Sequence, residues 1–275
     1  MSSSQSFNLP DELLTAKELA LGAGNILLAH YQQSVAVQWK ERGDPVTAAD
    51  KAASRFITRE LKQRFPGDAV LSEEEKDDPS RLSRSRVWIV DPMDGTTEFV
   101  AGRDEFAVMI GLAVDAKPVL GVVYQPTQRK LYYASAGKGA FLEQGSTHQS
   151  LRVSPEADPS RIVVAVSRSH DSVRAKRLRD LLHIPSTLQF GSAGLKIGKI
   201  CEGIAHLYVV LGSGTSQWDT CAPEAVLHEA GGRMTDTLGN PLQYNLAEPR
   251  NAHGVVASNG AIHDRVILTI GRISS

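Results

Sequence analysis

The sequence predicts a mixed α+β protein, with two N-terminal helices, an antiparallel sheet and a smaller C-terminal α/β layer. Three observations carry this expectation. Residues 70–71, 87–90, 106–114, 119–124 and 131–134 are apolar runs separated by short turn-forming segments, the pattern of strands joined by hairpins. Two stretches with apolar residues at helical spacing precede them. Beyond residue 155, strand-like and helix-like segments alternate, which indicates an α/β layer.

Residues 10–33 read as a helix, with Leu13, Leu14, Ala20, Leu21, Ile26 and Leu27 on an apolar face. Gly22 and Gly24 lower its propensity, and close packing against a neighbour is the expected compensation. Thr47, Ala48, Ala49 and Asp50 resemble a capping box with Asp in place of Glu, so a second helix starts there and stops at Pro66-Gly67. Segments 115–118 and 126–129 read as hairpin connections. The polar stretch 143–159 holds Gly, Ser, His and two prolines, and places a domain boundary near residue 155, dividing the chain into 1–155 and 156–275. In the second part, 162–166, 206–211 and 255–258 are strands. Helices are expected at 171–182, at 193–202 before Gly203, and at 219–230 before the left-handed cap signal Gly231-Gly232.

A chain of 275 residues with 41% hydrophobic and 22% charged residues is an ordinary globular protein. Its net charge of −1 gives no basic footprint, which argues against binding a nucleic-acid polymer. Cys201 and Cys221 are too few for a disulfide scaffold and fit no zinc spacing. No basic–apolar–small pattern precedes Phe7 and no apolar run reaches 18 residues, so no membrane association and a cytoplasmic location are expected.

The chemistry concentrates at Asp91, Pro92, Met93, Asp94, Gly95, Thr96 and Thr97. These residue types all favour turns, so an ordinary surface turn is one reading. Position argues for another: the carboxylates follow Trp88-Ile89-Val90, the end of a strand with a buried character, and buried carboxylates are costly unless paired or metal-bound. Hard divalent cations such as Mg²⁺ take carboxylate and carbonyl oxygens together with substrate phosphate oxygens. Asp91 and Asp94 then act as ligands, the Met93 carbonyl as a third donor, and Gly95 and Thr96 supply N–H groups to a phosphate.

Other carboxylates stand at element ends. Glu73 follows the strand that includes 70–71; it is either part of a solvated charge run with Glu74 and Glu75, or, if the two strands are adjacent, a neighbour of Asp91. Asp219 opens a helix after Trp218, as an N-cap, a metal ligand or both. Asp44 fits a structural turn before Thr47, and equally a carboxylate that orients the Thr96 hydroxyl against a metal-bound water. His170 is the histidine best placed for a functional role, and Lys196 fits a solvated helix face or a phosphate contact.

Together these motifs resemble the inositol monophosphatase superfamily of Mg²⁺-dependent, lithium-sensitive phosphatases. The resemblance runs from Gly43-Asp44-Pro45-Val46-Thr47-Ala48-Ala49-Asp50 to Gly231-Gly232. The segment from Asp91 to Thr97 and the pair Trp218-Asp219 match its two signatures. Leu71-Ser72-Glu73-Glu74 is similar to its Gly-Glu-Glu element, with Ser72 where many members carry Gly. The resemblance implies an αβαβα layered sandwich and a metal-dependent phosphomonoesterase. It implies two or three Mg²⁺ ions held by the side chains of Glu73, Asp91, Asp94 and Asp219. It also makes Asp44 and Thr96 the water-activating pair.

Within the superfamily the chain looks most like the 3′(2′),5′-bisphosphate nucleotidases, CysQ-type enzymes included. Glu98-Phe99 stands where inositol monophosphatases carry Asn-Phe, and Ser167-Arg168-Ser169-His170 resembles the segment that approaches adenosine. Trp218 to Glu224 followed by Leu242-Gln243-Tyr244 is similar to the animal nucleotidases. That likeness implies removal of the 3′-phosphate of 3′-phosphoadenosine 5′-phosphate, a small nucleotide substrate bound by Gly95, Thr96, Thr97, Ser167, His170, Ser192 and Lys196, and a place in sulfur metabolism. Lys196 falls near where a second phosphate needs a cation. Inositol or sugar phosphates as substrates, and a non-catalytic nucleotide or metal sensor, are the rival expectations; the resemblance leaves a homodimer open.

Overall fold

A computed structural model describes residues 9–31, 37–39, 45–168 and 172–274. Helix α1 (Pro10–His30) begins on a proline, whose missing N–H has no helical partner to lose, and buries Leu19, Ala20, Ala23 and Leu27. It ends three residues short of the expected boundary, and residues 32 and 33 lie outside the described residues. Strands β1 (Val37–Trp39) and β2 (Pro45–Thr47) pair antiparallel, and Thr47 then caps α2 (Ala48–Arg64).

The large sheet follows as β3 (Ala69–Ser72), β4 (Arg86–Asp94), the short helix α3 (Thr96–Val100), β5 (Ala107–Val114), β6 (Lys117–Gln125), β7 (Lys130–Ser135), β8 (Ala140–Gln144) and β9 (Thr147–Leu151). Its seven strands lie in chain order; β3 and β4 are parallel and every later pair is antiparallel. Asp115 and Ala116 both have positive φ, the backbone that a two-residue hairpin demands. The polar stretch at 143–159 holds more order than its composition suggests, because β9 lies within it. Thr147, His148, Gln149 and Ser150 are exposed on a sheet edge, so no apolar alternation marks that strand.

The second sheet uses β10 (Val163–Val166), α4 (Val173–Leu182), β11 (Ser186–Gln189), α5 (Ala193–Cys201), β12 (Leu207–Val210), α6 (Gln217–Glu229), β13 (Arg233–Thr235), β14 (Val255–Ser258) and α7 (His263–Ser274). Its order is β11-β10-β12-β14-β13, with the first three strands parallel.

Strand periodicity sorts the core into three seams. Along β4, Trp88 and Val90 face α1 and α2, whereas Val87 and Ile89 face the opposite side. That opposite side packs with Leu195 and Ile197 of α5, Val226 of α6, and Ala165 and Tyr208 of the second sheet. On the far face, Val164 and Val166 meet Leu178 and Leu182 of α4 and Val266 and Ile270 of α7. The layers therefore run α-β-α-β-α. Among the described residues no helix is long and apolar enough to cross a membrane.

One close approach fixes the middle layer. Gly111 and Gly121 are cross-strand partners on β5 and β6. A Cβ on Gly121 would lie 2.0 Å from the Ala222 carbonyl oxygen, and one on Gly111 2.7 Å from Cys221 Sγ. The backbone of α6 thus rests directly on the sheet, two to three residues beyond Asp219.

Candidate active site

On a regular strand, residues three apart point to opposite faces. Asp91 pairs with Met109 and Asp94 with Ala107, so three steps on β4 span two on β5, and the extra residue is a β-bulge. The two carboxylates therefore lie on the sheet, across a bulge, rather than after the strand as the sequence suggested. The bulge brings Asp94 round to the side of Asp91. Gly95 follows with φ of 100°, and a Cβ there would lie 2.8 Å from the Glu105 carbonyl. Glycine alone makes this turn without strain.

A third carboxylate arrives from α6, and Asp91, Asp94 and Asp219 each place an oxygen within 4.8 Å of the others. Asp219 is not the cap of its helix; it sits in the first turn, and its Oδ2 accepts the Ser216 N–H at 2.6 Å. Asp50 is held by the same device at the start of α2, with Oδ2 accepting the Thr47 N–H at 2.7 Å and its hydroxyl at 2.6 Å. In each case the cap occupies one oxygen and sets the direction of the other. The free oxygen of Asp50, Oδ1, accepts the Thr96 hydroxyl at 3.1 Å, and the Met93 carbonyl lies 3.2 Å from that same hydroxyl.

The start of α5 closes the site. Ser192 donates to Asp94 Oδ2 at 2.5 Å, and the Gly194 N–H reaches the same oxygen at 2.8 Å. Ser192 has φ of 45°, a strained conformation for a residue with a side chain, held where it touches Asp94. Lys196, one turn on, is buried, with Nζ 3.2–3.4 Å from Ser167 Oγ and the Phe190 and Gly191 carbonyls.

Burial pushes the carboxyls of Asp91 and Asp219 well above the usual range, and their mutual repulsion with Asp94 and Glu73 adds to it. Asp94 is raised by burial too, moderated by Lys196 and the α5 hydrogen bonds. Three acids meet at one point beside the Lys196 ammonium, and a hard divalent cation fits both the oxygen donor set and the negative charge. A cavity of about 150 Å³ opens beside Asp94 and Asp219, lined also by Thr97, Glu98 and Lys196.

Of the residues singled out in the sequence, Asp91, Asp94, Thr96, Asp219, Ser192 and Lys196 converge here, with Gly95, Thr97 and Ser167 on the cavity wall. Glu73 stands beside the cluster: β3 and β4 are adjacent, its N–H reaches the Val90 carbonyl at 3.2 Å, and its charge raises both Asp91 and Asp219. Asp44 and His170 lie outside the described residues. Asp50, which meets Thr96 here, was read in the sequence only as part of a capping box. Glu105 was not singled out in the sequence; its carboxylate takes Arg168 through two bonds of 2.8 and 2.5 Å and the Gly191 N–H at 2.6 Å, tying three segments together beside the cavity.

A five-layer fold that holds a metal-competent acid cluster, buried at Asp91 and half-buried at Asp94 and Asp219, against a hydroxyl–carboxylate pair defines a metal-dependent phosphomonoesterase. The chain belongs to the inositol monophosphatase family, whose sequence profile matches residues 9–274. It is 36% identical to a 3′(2′),5′-bisphosphate nucleotidase CysQ of Haemophilus influenzae, over 90% of this chain and 93% of that one. Among solved structures, CysQ from Bacteroides thetaiotaomicron superposes with a TM-score of 0.78 at 30% identity, over 92% of this chain and 99% of that one. An IMPase from Thermotoga maritima superposes with a TM-score of 0.81 at 27% identity, over 96% and 98%.

Proposed function

We propose that this protein is a Mg²⁺-dependent 3′(2′),5′-bisphosphate nucleotidase that hydrolyses 3′-phosphoadenosine 5′-phosphate to AMP and phosphate. The observation that carries the chemistry is the meeting of Asp91, Asp94 and Asp219 within 4.8 Å, beside Thr96. Asp91, Asp94, Asp219 and Glu73, with the Met93 carbonyl, would hold two or three Mg²⁺ ions, which supply charge neutralisation for the phosphate and acidify the attacking water.

The chain's own residues position and move the proton. Thr96 Oγ1 orients the water and accepts its proton while its own passes to Oδ1 of Asp50. We assign this role to Asp50 in place of Asp44, on the 3.1 Å hydrogen bond. Burial raises the Asp50 carboxyl above its ordinary value while the Thr47 bonds oppose that rise, which makes it a stronger base than a surface aspartate. Ser192 and the Gly194 N–H steady Asp94, Lys196 offsets the acidic wall, and the turn at Gly95–Thr97 faces the transferred phosphate, so catalysis rests on positioning and charge.

Substrate choice rests on the nucleotidase relatives and on Glu98, which lines the catalytic cavity with its carboxyl raised by burial. Hydrolysis of inositol 1-phosphate is the second reading, favoured by the likeness to the Thermotoga IMPase. Phosphate-release assays on both substrates decide between them: a higher kcat/KM for the bisphosphate nucleotide is expected, and preference for the inositol ester overturns the proposal.

A further inference from the structure

The connection from β3 to β4 begins at Glu73 and carries a buried arginine. Arg81 lies in a single 3₁₀ turn, Pro79–Ser83, and is 1% exposed. An arginine so deeply buried needs its charge paired and its fork satisfied. Asp77 takes its Nε–H at 2.6 Å and Nη2–H at 2.9 Å, a bidentate pair, and the side-chain oxygen of Asn245 takes Nη1–H at 2.9 Å. Asn245 comes from the loop between β13 and β14. Its own side-chain N–H groups return to the Arg81 and Arg84 carbonyls at 2.9 and 3.1 Å.

The network continues into α6. The Asn245 backbone N–H donates to Gln217 Oε1 at 2.6 Å, and Gln217 gives Nε2–H to the Glu248 carbonyl at 3.4 Å. Gln217 is buried, opens α6 and stands two residues before Asp219. Asn245 has φ of 60°, a left-handed backbone that asparagine tolerates better than most residues with a side chain. One residue thus offers its amide to α6 and its side chain to Arg81. At its other end the same connection is tied to α2. The hydroxyl of Ser54, one turn after Asp50, meets that of Ser72 at 3.1 Å and donates to Glu75 Oε1 at 3.1 Å. Glu73 therefore lies on a strut between the helix that carries Asp50 and the helix that carries Asp219.

Resting on the metal-dependent reading above, we infer that Arg81, acting through Asn245 and Gln217, is a positioning residue of the metal site: it fixes the spacing between Glu73, at the head of its own connection, and Asp219, in the first turn of α6. The charge of Glu73 raises the Asp219 carboxyl, so the two repel and are driven apart unless their backbones are held. A pinned pair meets a cation already in place and gives up less freedom on binding it. Arg81 acts through other residues, so its effect falls on metal affinity rather than on the chemical step.

Asn245→Gly separates positioning from folding. Glycine keeps the left-handed backbone without strain, and with it the amide bond to Gln217, and removes the side-chain bonds to Arg81 and Arg84. Calorimetric titration of Mg²⁺ into the substrate-free variant is expected to give a Kd weakened roughly tenfold, the low end for groups that orient metal ligands. The Mg²⁺ concentration for half-maximal phosphate release from 3′-phosphoadenosine 5′-phosphate is expected to rise by the same factor, with kcat at saturating Mg²⁺ close to wild type. Arg81→Lys keeps the charge, loses the fork and is expected to shift the same way. Val266→Ala, in the seam between the second sheet and α7, is the control for lost stability alone: its unfolding midpoint is expected to fall and its Mg²⁺ affinity to match wild type. An unchanged Mg²⁺ Kd in Asn245→Gly, or an equal shift in Val266→Ala, overturns the inference while leaving the metal site in place. Absence of Mg²⁺ binding by the wild type overturns the metal-dependent reading itself.

Discussion

The Thr96 hydroxyl donates to Oδ1 of Asp50 at 3.1 Å, while Oδ2 of the same carboxylate accepts both the amide and the hydroxyl of Thr47. A helix cap therefore sets the angle at which a candidate base meets its hydroxyl. Asp50→Asn keeps the shape and removes the basicity. Turnover is expected to fall by roughly 10²–10⁴-fold, with the thermal midpoint changed little, in single-turnover phosphate release. Asp44→Asn is the comparison; a larger loss there than in Asp50→Asn returns the role to Asp44.

The acid cluster predicts that divalent metal stabilises the fold. Asp91, Asp94 and Asp219 repel one another across less than 4.8 Å, and a bound cation relieves that repulsion only in the folded chain. Adding Mg²⁺ to chelator-treated protein is expected to raise stability by about 2.7 kcal/mol at a hundredfold excess over Kd. The gain is expected to shrink sharply in Asp94→Asn. Differential scanning calorimetry with and without the metal measures both.

Close packing of α6 on the sheet makes Gly121 a structural determinant of activity. Gly121→Ala puts a methyl group 2.0 Å from the Ala222 carbonyl, so the helix must shift and carry Asp219 with it. A stability loss of about 1–3 kcal/mol is expected for such overpacking. Metal affinity is expected to fall as well, in urea unfolding and metal titration of one sample. A variant that loses stability and keeps full metal affinity contradicts the coupling.

Glu224 gives the fold a pH dependence of its own. It is buried within α6, accepts the Tyr244 hydroxyl, and its carboxyl is pushed up to about 8 by burial. His228 lies 3.4 Å away, but burial lowers its pKa and leaves little positive charge to pair with. Because the folded value exceeds the ordinary 4.5, the unfolded chain loses this proton first. Stability therefore falls as pH rises from about 4.5 to about 8, by at most about 1.4 kcal/mol per pH unit. Glu224→Gln is expected to gain on wild type across that window in chemical unfolding. An unchanged difference between the two proteins at its two ends contradicts this.

How much of this was legible in the sequence depended on periodicity. Residues 255–258 were readable as a strand to the residue because β14 is buried on both sides, whereas β9 left no signal because it is an exposed edge. Asp91, Asp94 and Asp219 stood out as acids beside apolar runs. Their convergence was legible only through the family resemblance and not from periodicity, since it depends on a bulge between Asp91 and Asp94 and on the Gly111–Gly121 pair that seats α6. Asp50 was visible as a cap while its contact with Thr96 was hidden, because one carboxylate makes the two sets of bonds through different oxygens.

The most direct test of the central claim is phosphate release from 3′-phosphoadenosine 5′-phosphate by the wild-type protein, first with chelator and then after Mg²⁺ is restored, with AMP quantified as the product. No turnover is expected without metal, and stoichiometric AMP and phosphate are expected with it. Turnover that persists unchanged in chelator, or none in excess Mg²⁺, would contradict it.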